Sequence, residues 1–214
     1  MTTDPDTGTF TVPAGSRVWP LGGDTALVPR TAEIAQACHA LLEVDDERLD
    51  RWYPEFGERP TPEETRAALE LTGRAWREGS RLPLAVAVKA GNGWRLVGMV
   101  DLEIDDTPAR SGTVDCWLDA RFEGRGLTTR AVSAVLDQAF GPLGLSVVTW
   151  FVRLTDQRGR SAARRLGFVQ EGVFQQGAFP DEGDEAVFRL RTDGWRGAAN
   201  RSRTAEPGSG GPSH

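Results

Sequence analysis

Residues 115–131 read DCWLDARFEGRGLTTRA. An apolar strand, residues 112–118, leads into this stretch, and a helix leaves it with Ala131, Val135, Leu136 and Ala139 at helical spacing. Between the two stand Gly124 and Gly126 around a single arginine. Glycines at a strand-to-helix turn let the backbone come close to a ligand. The free N–H groups of the first helical turn and the positive end of the helix dipole face the same place. Such a turn suits a pyrophosphate, although a tight turn that only packs a helix has the same look.

Outward from the turn, the chain divides into recognisable pieces. Upstream, residues 82–89 and 94–104 read as strands joined by the turn sequence AGNG (residues 90–93). Before them, Thr61-Pro62-Glu63-Glu64 opens a helix that runs to about Glu78, with a capping threonine, a first-turn proline and a capping-box glutamate. An earlier helix starts after Thr31 and carries Ile34, Ala35, Cys38, Leu41 and Leu42 at helical spacing; Val18–Pro20 and Leu27–Pro29 are short strand pieces. Downstream come a strand at 146–152, a helix at 159–166 closed by Gly167, and strands at 169–174 and 186–190. Two helices, a three-strand meander and then α-β-α-β-β indicate an α+β fold on a mixed sheet.

The bulk properties fit one such domain. The chain has 214 residues, 39% apolar and 26% charged, enough for a single core. Residues 15–196 are expected to form one domain, with disordered tails at 1–14 and 197–214 where Gly, Pro, Ser and Thr dominate. No apolar run is long enough for a bilayer and the first residues are acidic and polar, so a cytoplasmic protein with no membrane partner is expected. The net charge of −6 argues against nucleic acid. Cys38 and Cys116 have no metal or redox spacing, and His39 and His214 are the only histidines, so no metal site is expected. Charge is uneven: residues 31–75 hold eleven acids and five arginines, residues 119–165 eight arginines and four acids. That division suits an amine acceptor and a phosphate-bearing cofactor, or two solvated helix faces.

The run 115–131 resembles the coenzyme A motif of the GNAT acetyltransferase superfamily, usually written Q/R-x-x-G-x-G/A, with Arg121, Gly124 and Gly126 in its defined positions. It is most similar to the RimJ/RimL branch, whose members acetylate protein N-termini or small amines. Arg165-Leu-Gly-Phe168 with Glu171-Gly172 resembles the branch's R-L-G-F-x-x-E-G junction, LDRWYP (residues 49–54) its acceptor-side loop, and LVGMVDL (residues 96–102) the strand before the cofactor strand. The resemblance implies a mixed, mostly antiparallel sheet with helices on both faces. It implies acetyl-CoA or another acyl-CoA as cofactor, N-acyl transfer as activity, an amine-bearing small molecule or protein N-terminus as acceptor, and a possible homodimer. Carried over, Trp117 and Leu118 meet the pantetheine, and Gly124, Arg125, Gly126, Leu127, Thr128, Thr129 and Arg130 surround the pyrophosphate together with Arg121. Glu103 and Asp115, on neighbouring strands, are carboxylate candidates for handling the amine proton, as is Asp101. Ser161 is the candidate acid; Trp52, Tyr53 and Phe56 are candidates for the acceptor site.

Around the intact glycines the chain departs from the branch at Glu123, Thr128 and Arg130, and it departs at three further places. Asp156 and Gly159 replace the Asn and Ser of N-x-x-S, and Ala163 stands where many relatives carry a tyrosine acid. An alternative therefore follows: a coenzyme A-binding protein of this fold with little catalysis, serving as a sensor or interaction module.

Overall fold

A computed structural model describes residues 9–43, 60–175 and 183–197. It contains strands β1 (Thr9–Phe10), β2 (Trp19–Pro20), β3 (Thr25–Pro29), β4 (Arg81–Ala90), β5 (Gly93–Ile104), β6 (Ser111–Leu118), β7 (Val147–Arg153), β8 (Val169–Phe174) and β9 (Glu185–Arg191). Its helices are α1 (Ala35–Leu42), α2 (Pro62–Glu78), α3 (Leu127–Phe140) and α4 (Gln157–Arg165).

The sheet runs β2-β3-β4-β5-β6-β7-β9-β8, with β1 paired to β5 off that path. Every pairing is antiparallel except β6 with β7. The α+β, mostly antiparallel architecture expected from the sequence is present. Alternation divides the strands between two cores. Val100, Leu102, Val114, Val148, Trp150 and Val152 pack beneath α3 and α4, while Ala85, Met99 and Trp117 pack with α1 and α2. Helices therefore cover both faces.

The α2 start forms as its sequence dictates. The Thr61 hydroxyl accepts from the Glu64 N–H, and the Glu64 carboxylate accepts from the Thr61 N–H at 2.7 Å. Gly79, at φ 77°, closes the helix in the left-handed region that glycine tolerates. Thr31 behaves differently. It precedes a 3-10 turn, Ala32–Ile34, makes no side-chain cap, and α1 begins only at Ala35. The expected disordered tail 1–14 also departs at its end. Thr9 and Phe10 pair with Arg95 and Trp94, and Phe10 is buried against the α1 core, which fixes that segment.

Two irregularities shape the centre of the sheet. Val86 pairs with Gly98 and Ala87 with Leu96, so Val97 is the extra residue of a β-bulge. The Val97 carbonyl accepts from the Asp119 N–H at 2.9 Å, which ties the bulge to the end of β6. A Cβ at Gly98 would lie 2.5 Å from the Trp117 carbonyl oxygen, so only glycine permits this close approach of β5 and β6.

Candidate functional site

Strands β6 and β7 pair at only three positions, Ser111 with Val147, Gly112 with Val148 and Thr113 with Thr149. Beyond Thr113 and Thr149 they separate, and a cleft of about 1100 Å³ opens between them. Its walls are Cys116, Trp117 and Leu118 from β6, residues 150–153 from β7, the turn and first helical residues 123–130, and part of α4. Separated strands leave backbone donors and acceptors without their ladder partners, and those groups are available to an extended ligand.

The glycine turn forms the mouth. Gly124 and Gly126 both have positive φ, 75° and 71°, and a Cβ on either would meet nothing within 4 Å. Glycine is needed there for backbone conformation, not for lack of room. Gly126 is the N-cap of α3, and no side chain caps that helix, so the N–H groups of its first turn face the cleft. The three neighbouring arginines have different fates. Arg125 lines the cleft, with its guanidinium 5.1 Å from the Phe122 ring centre. Arg130 also lines it, but its Nη1 donates to the carbonyls of Leu21 and Gly22, both at 3.1 Å, which ties α3 to the β2–β3 turn. Arg121 does not line the cleft. Its guanidinium forks onto the Asp119 carboxylate, and Asp119 also accepts from the Arg121 N–H, so this arginine stabilises the turn from behind.

Glu123, acidic beside the glycine turn, has its charge answered. Arg158 on α4 donates to it across the mouth of the cleft, at 2.5 Å.

The carboxylates sit on the face that carries α1 and α2. Asp101 pairs with Asp115 across β5 and β6, and Glu103 with Thr113. Asp101 is buried and held by two arginines, Arg30 through Nη2 at 2.5 and 2.6 Å and Arg81 through Nε at 2.8 Å. It is a structural carboxylate. Glu103 is exposed. Asp115 is half-buried, and burial pushes its carboxyl up to about 7, with further upward pressure from Asp101, Glu103 and Glu185 against the pull of Arg81. The β6 wall of the cleft begins at Cys116, the residue after Asp115. The Cys116 thiol is pushed up to about 12, chiefly by burial, and is therefore inert as a nucleophile at neutral pH.

Ser161 is exposed on α4 and lines the cleft, on the opposite side of the sheet from Asp115 and Glu103. The gap between β6 and β7 is what connects the two sides. The Asp156 and Gly159 departures prove to be one feature. Asp156 caps α4 by accepting from the Gly159 N–H at 2.9 Å, and a Cβ on Gly159 would fall 2.4 Å from the Asp156 Oδ2 and 2.9 Å from Val152. An aspartate cap this close excludes the serine. Ala163 is fully buried against the core, with no room for a tyrosine. Trp52, Tyr53 and Phe56 lie outside the described residues.

Sequence reading passed over three residues at this site. Arg158 and Arg153 line the cleft, and Glu185, buried at the start of β9, acts on Asp115 from beyond β7. Nothing in their local sequence marks them, since each is brought to the site by long-range strand and helix packing.

Residues 26–169 match a family model described as the acetyltransferase (GNAT) domain. YdaF of Bacillus subtilis (strain 168), provisionally named a ribosomal N-acetyltransferase, is 28% identical over 104 residues. That match covers 48% of this chain and 57% of YdaF, so the chain spans little more than half of that relative. Among solved structures, the ribosomal-protein-S5-alanine acetyltransferase of Vibrio fischeri superposes with a TM-score of 0.73 at 19% identity, over 84% of this chain and 99% of that one. RimJ of Mycobacterium smegmatis, solved with CoA-disulfide, gives 0.73 at 23% identity over 89% and 92%. At such identities the structural likeness is one of fold.

Proposed function

Because the chain belongs to the GNAT acetyltransferase family, we propose that it is an acyl-CoA-dependent N-acyltransferase, acetyl-CoA being the simplest donor and a protein N-terminal amine the first acceptor to test. The observation that carries this reading is the splay of β6 from β7 beyond Thr113 and Thr149, with an uncapped helix N-terminus at its mouth. Acyl-CoA, when bound, supplies the thioester from which the acyl group leaves.

The residues fit that ligand. Backbone N–H groups from Gly124 to Thr129 hold the pyrophosphate, and Arg125 adds charge beside them. Trp117 and Leu118 give the pantetheine an apolar wall, and the unladdered edge of β6 offers it hydrogen bonds. On the other face Asp115 takes the amine proton. A base titrating near 7 is matched to neutral pH, being about half ionised and still basic. Glu103, fully in solvent's reach, is a weaker candidate. Ser161 is the hydroxyl on the α4 side of the cleft able to give a proton to a departing sulfur.

An α-amine, with a pKa near ~8, is about a tenth neutral at pH 7, whereas a lysine-like amine near ~10.4 is about one part in a few thousand. The first asks less of a single half-buried carboxylate than the second. The acceptors implied by the names of the relatives, ribosomal proteins, agree with that ranking.

A second reading has its own observation. Asp156 is engaged as a helix cap and Ala163 is buried, so neither position supplies a proton, which favours a coenzyme A-binding module with little catalysis. Calorimetry with acetyl-CoA tests the shared part, and no binding at millimolar ligand would refute both. Thiol release with N-terminal peptides and small amines then separates them: turnover establishes the transferase, and silence with intact binding leaves the module.

A further inference from the structure

Arg153 ends β7 at the wall of the cleft. Along β7 the residues alternate: Val148, Trp150 and Val152 are buried beneath α3 and α4, while Thr149, Phe151 and Arg153 are half-buried on the other face. Val152 in particular touches α4 at Gly159. Arg153 therefore lies on the face that carries Asp115 and Glu185, away from the helix that holds the glycine turn. Among the described residues its side chain makes no hydrogen bond and no ion pair, and its Nε is covered by protein without an acceptor. Of the other cleft arginines, Arg158 pairs with Glu123, Arg125 meets Phe122 and a carbonyl, and Arg130 meets two carbonyls, while Arg165 is exposed on α4, on the side of the sheet away from Arg153. Glu185 stands opposite Arg153 in the β7–β9 pairing, yet the two make no ion pair, and a half-buried arginine with an unmet Nε at the wall of a binding cleft is a receptor for an oxyanion.

Two anions present themselves, the cofactor's phosphates and an acidic group of the acceptor. The face decides between them. The phosphate-binding turn belongs to α3, and Arg153 points away from α3. Counted from Thr113 and Thr149, Arg153 stands level with Trp117, two residues beyond the level of Asp115. Two strand residues are about 7 Å. That offset lies along the strands, and the widening gap between β6 and β7 adds to it, so the site suits the side chain of the residue next to an amine placed at Asp115.

Resting on the transferase reading above, we infer that Arg153 receives a carboxylate of the acceptor, so that the preferred acceptor is a free amine with an acidic side chain next to it, such as an N-terminus with glutamate in second position.

The test uses the full chain saturated with coenzyme A and two matched tetrapeptides with free N-termini, one with glutamate second, one with glutamine. Calorimetry measures the affinity of each, independently of turnover. The glutamate peptide is expected to bind about tenfold or more tightly, the effect of one charge-assisted pair. In Arg153→Met the ratio falls to near one, and in Arg153→Glu it reverses in favour of the glutamine peptide. Equal binding of the two peptides by the unaltered protein overturns the inference without any variant. So does an Arg153→Met protein that keeps the ratio but loses affinity for coenzyme A, which would assign the arginine to the cofactor. Failure of coenzyme A itself to bind removes the reading beneath, and is seen before any peptide is added.

Discussion

Replacing Asp115 by asparagine should make the protein more stable as the pH rises, and less active. In the folded chain the Asp115 carboxyl keeps its proton up to about 7, against 3.8 for an ordinary aspartate, because burial and three neighbouring carboxylates oppose its charge. Between those values the folded state binds more protons than the unfolded state, so this residue makes stability fall as pH rises from about 4 to about 7. The full linkage between pH 5 and pH 8 is about 2.6 kcal/mol at about 1.36 kcal/mol per tenfold change in proton activity. Asp115 is half-exposed along the sheet, and solvent and salt screening reduce that to about 1–2 kcal/mol. Asp115→Asn lacks the titrating group, so its stability relative to the parent should improve by that amount between the two pH values. Any fixed cost of the amide cancels in the difference. Urea unfolding followed by tryptophan fluorescence, at pH 5 and pH 8 for both proteins, measures it. A difference of zero, or of opposite sign, would refute the placement of Asp115 among Asp101, Glu103 and Glu185. The activity arm is independent. With an α-amine already about a tenth neutral at pH 7, loss of the base should lower turnover about tenfold, and the rise in rate through pH 7 should flatten.

Other consequences follow from the same geometry. Asp101→Ala leaves Arg30 without the carboxylate that meets it in the core and should cost about 3–5 kcal/mol, read as a lower urea midpoint. Gly126→Ala forces a side chain into φ 71° at the N-cap of α3 and should cost about 1–2 kcal/mol in stability while weakening coenzyme A binding in calorimetry. Glu123→Gln frees Arg158 and removes a negative charge from the mouth of the cleft; coenzyme A affinity should rise about threefold to tenfold at low salt, and the gain should shrink at 0.5 M salt. Gly159→Ser should be destabilising alone and better tolerated with Asp156→Asn, a coupling read by a double-mutant cycle.

Much of the molecule is legible in local sequence. The α2 start is an example, because a capping box, a first-turn proline and a closing glycine act within a few residues of one another. The period-2 strands and the period-3.6 helix after Gly126 are equally local, and α3 and β8 have the bounds their patterns imply. Thr31 shows the limit: a good capping residue stands before a 3-10 turn, and the packing of Ile34 and Ala35 sets where α1 begins.

The candidate site divides the same way. By itself the sequence determined the glycine turn, since two glycines between a strand and a helix take up positive φ and leave the first N–H groups of the helix uncapped. Which charges remain available there was decided only by tertiary structure. Arg121, prominent in the motif, is spent on Asp119 two residues away, and Arg130 on carbonyls of the β2–β3 turn. Asp101 and Asp115 look alike on adjacent strands, yet one meets two arginines and the other three carboxylates. The physical reason is that charge interactions act through space, between groups that only the fold brings together, whereas backbone conformation is set by neighbours in the chain.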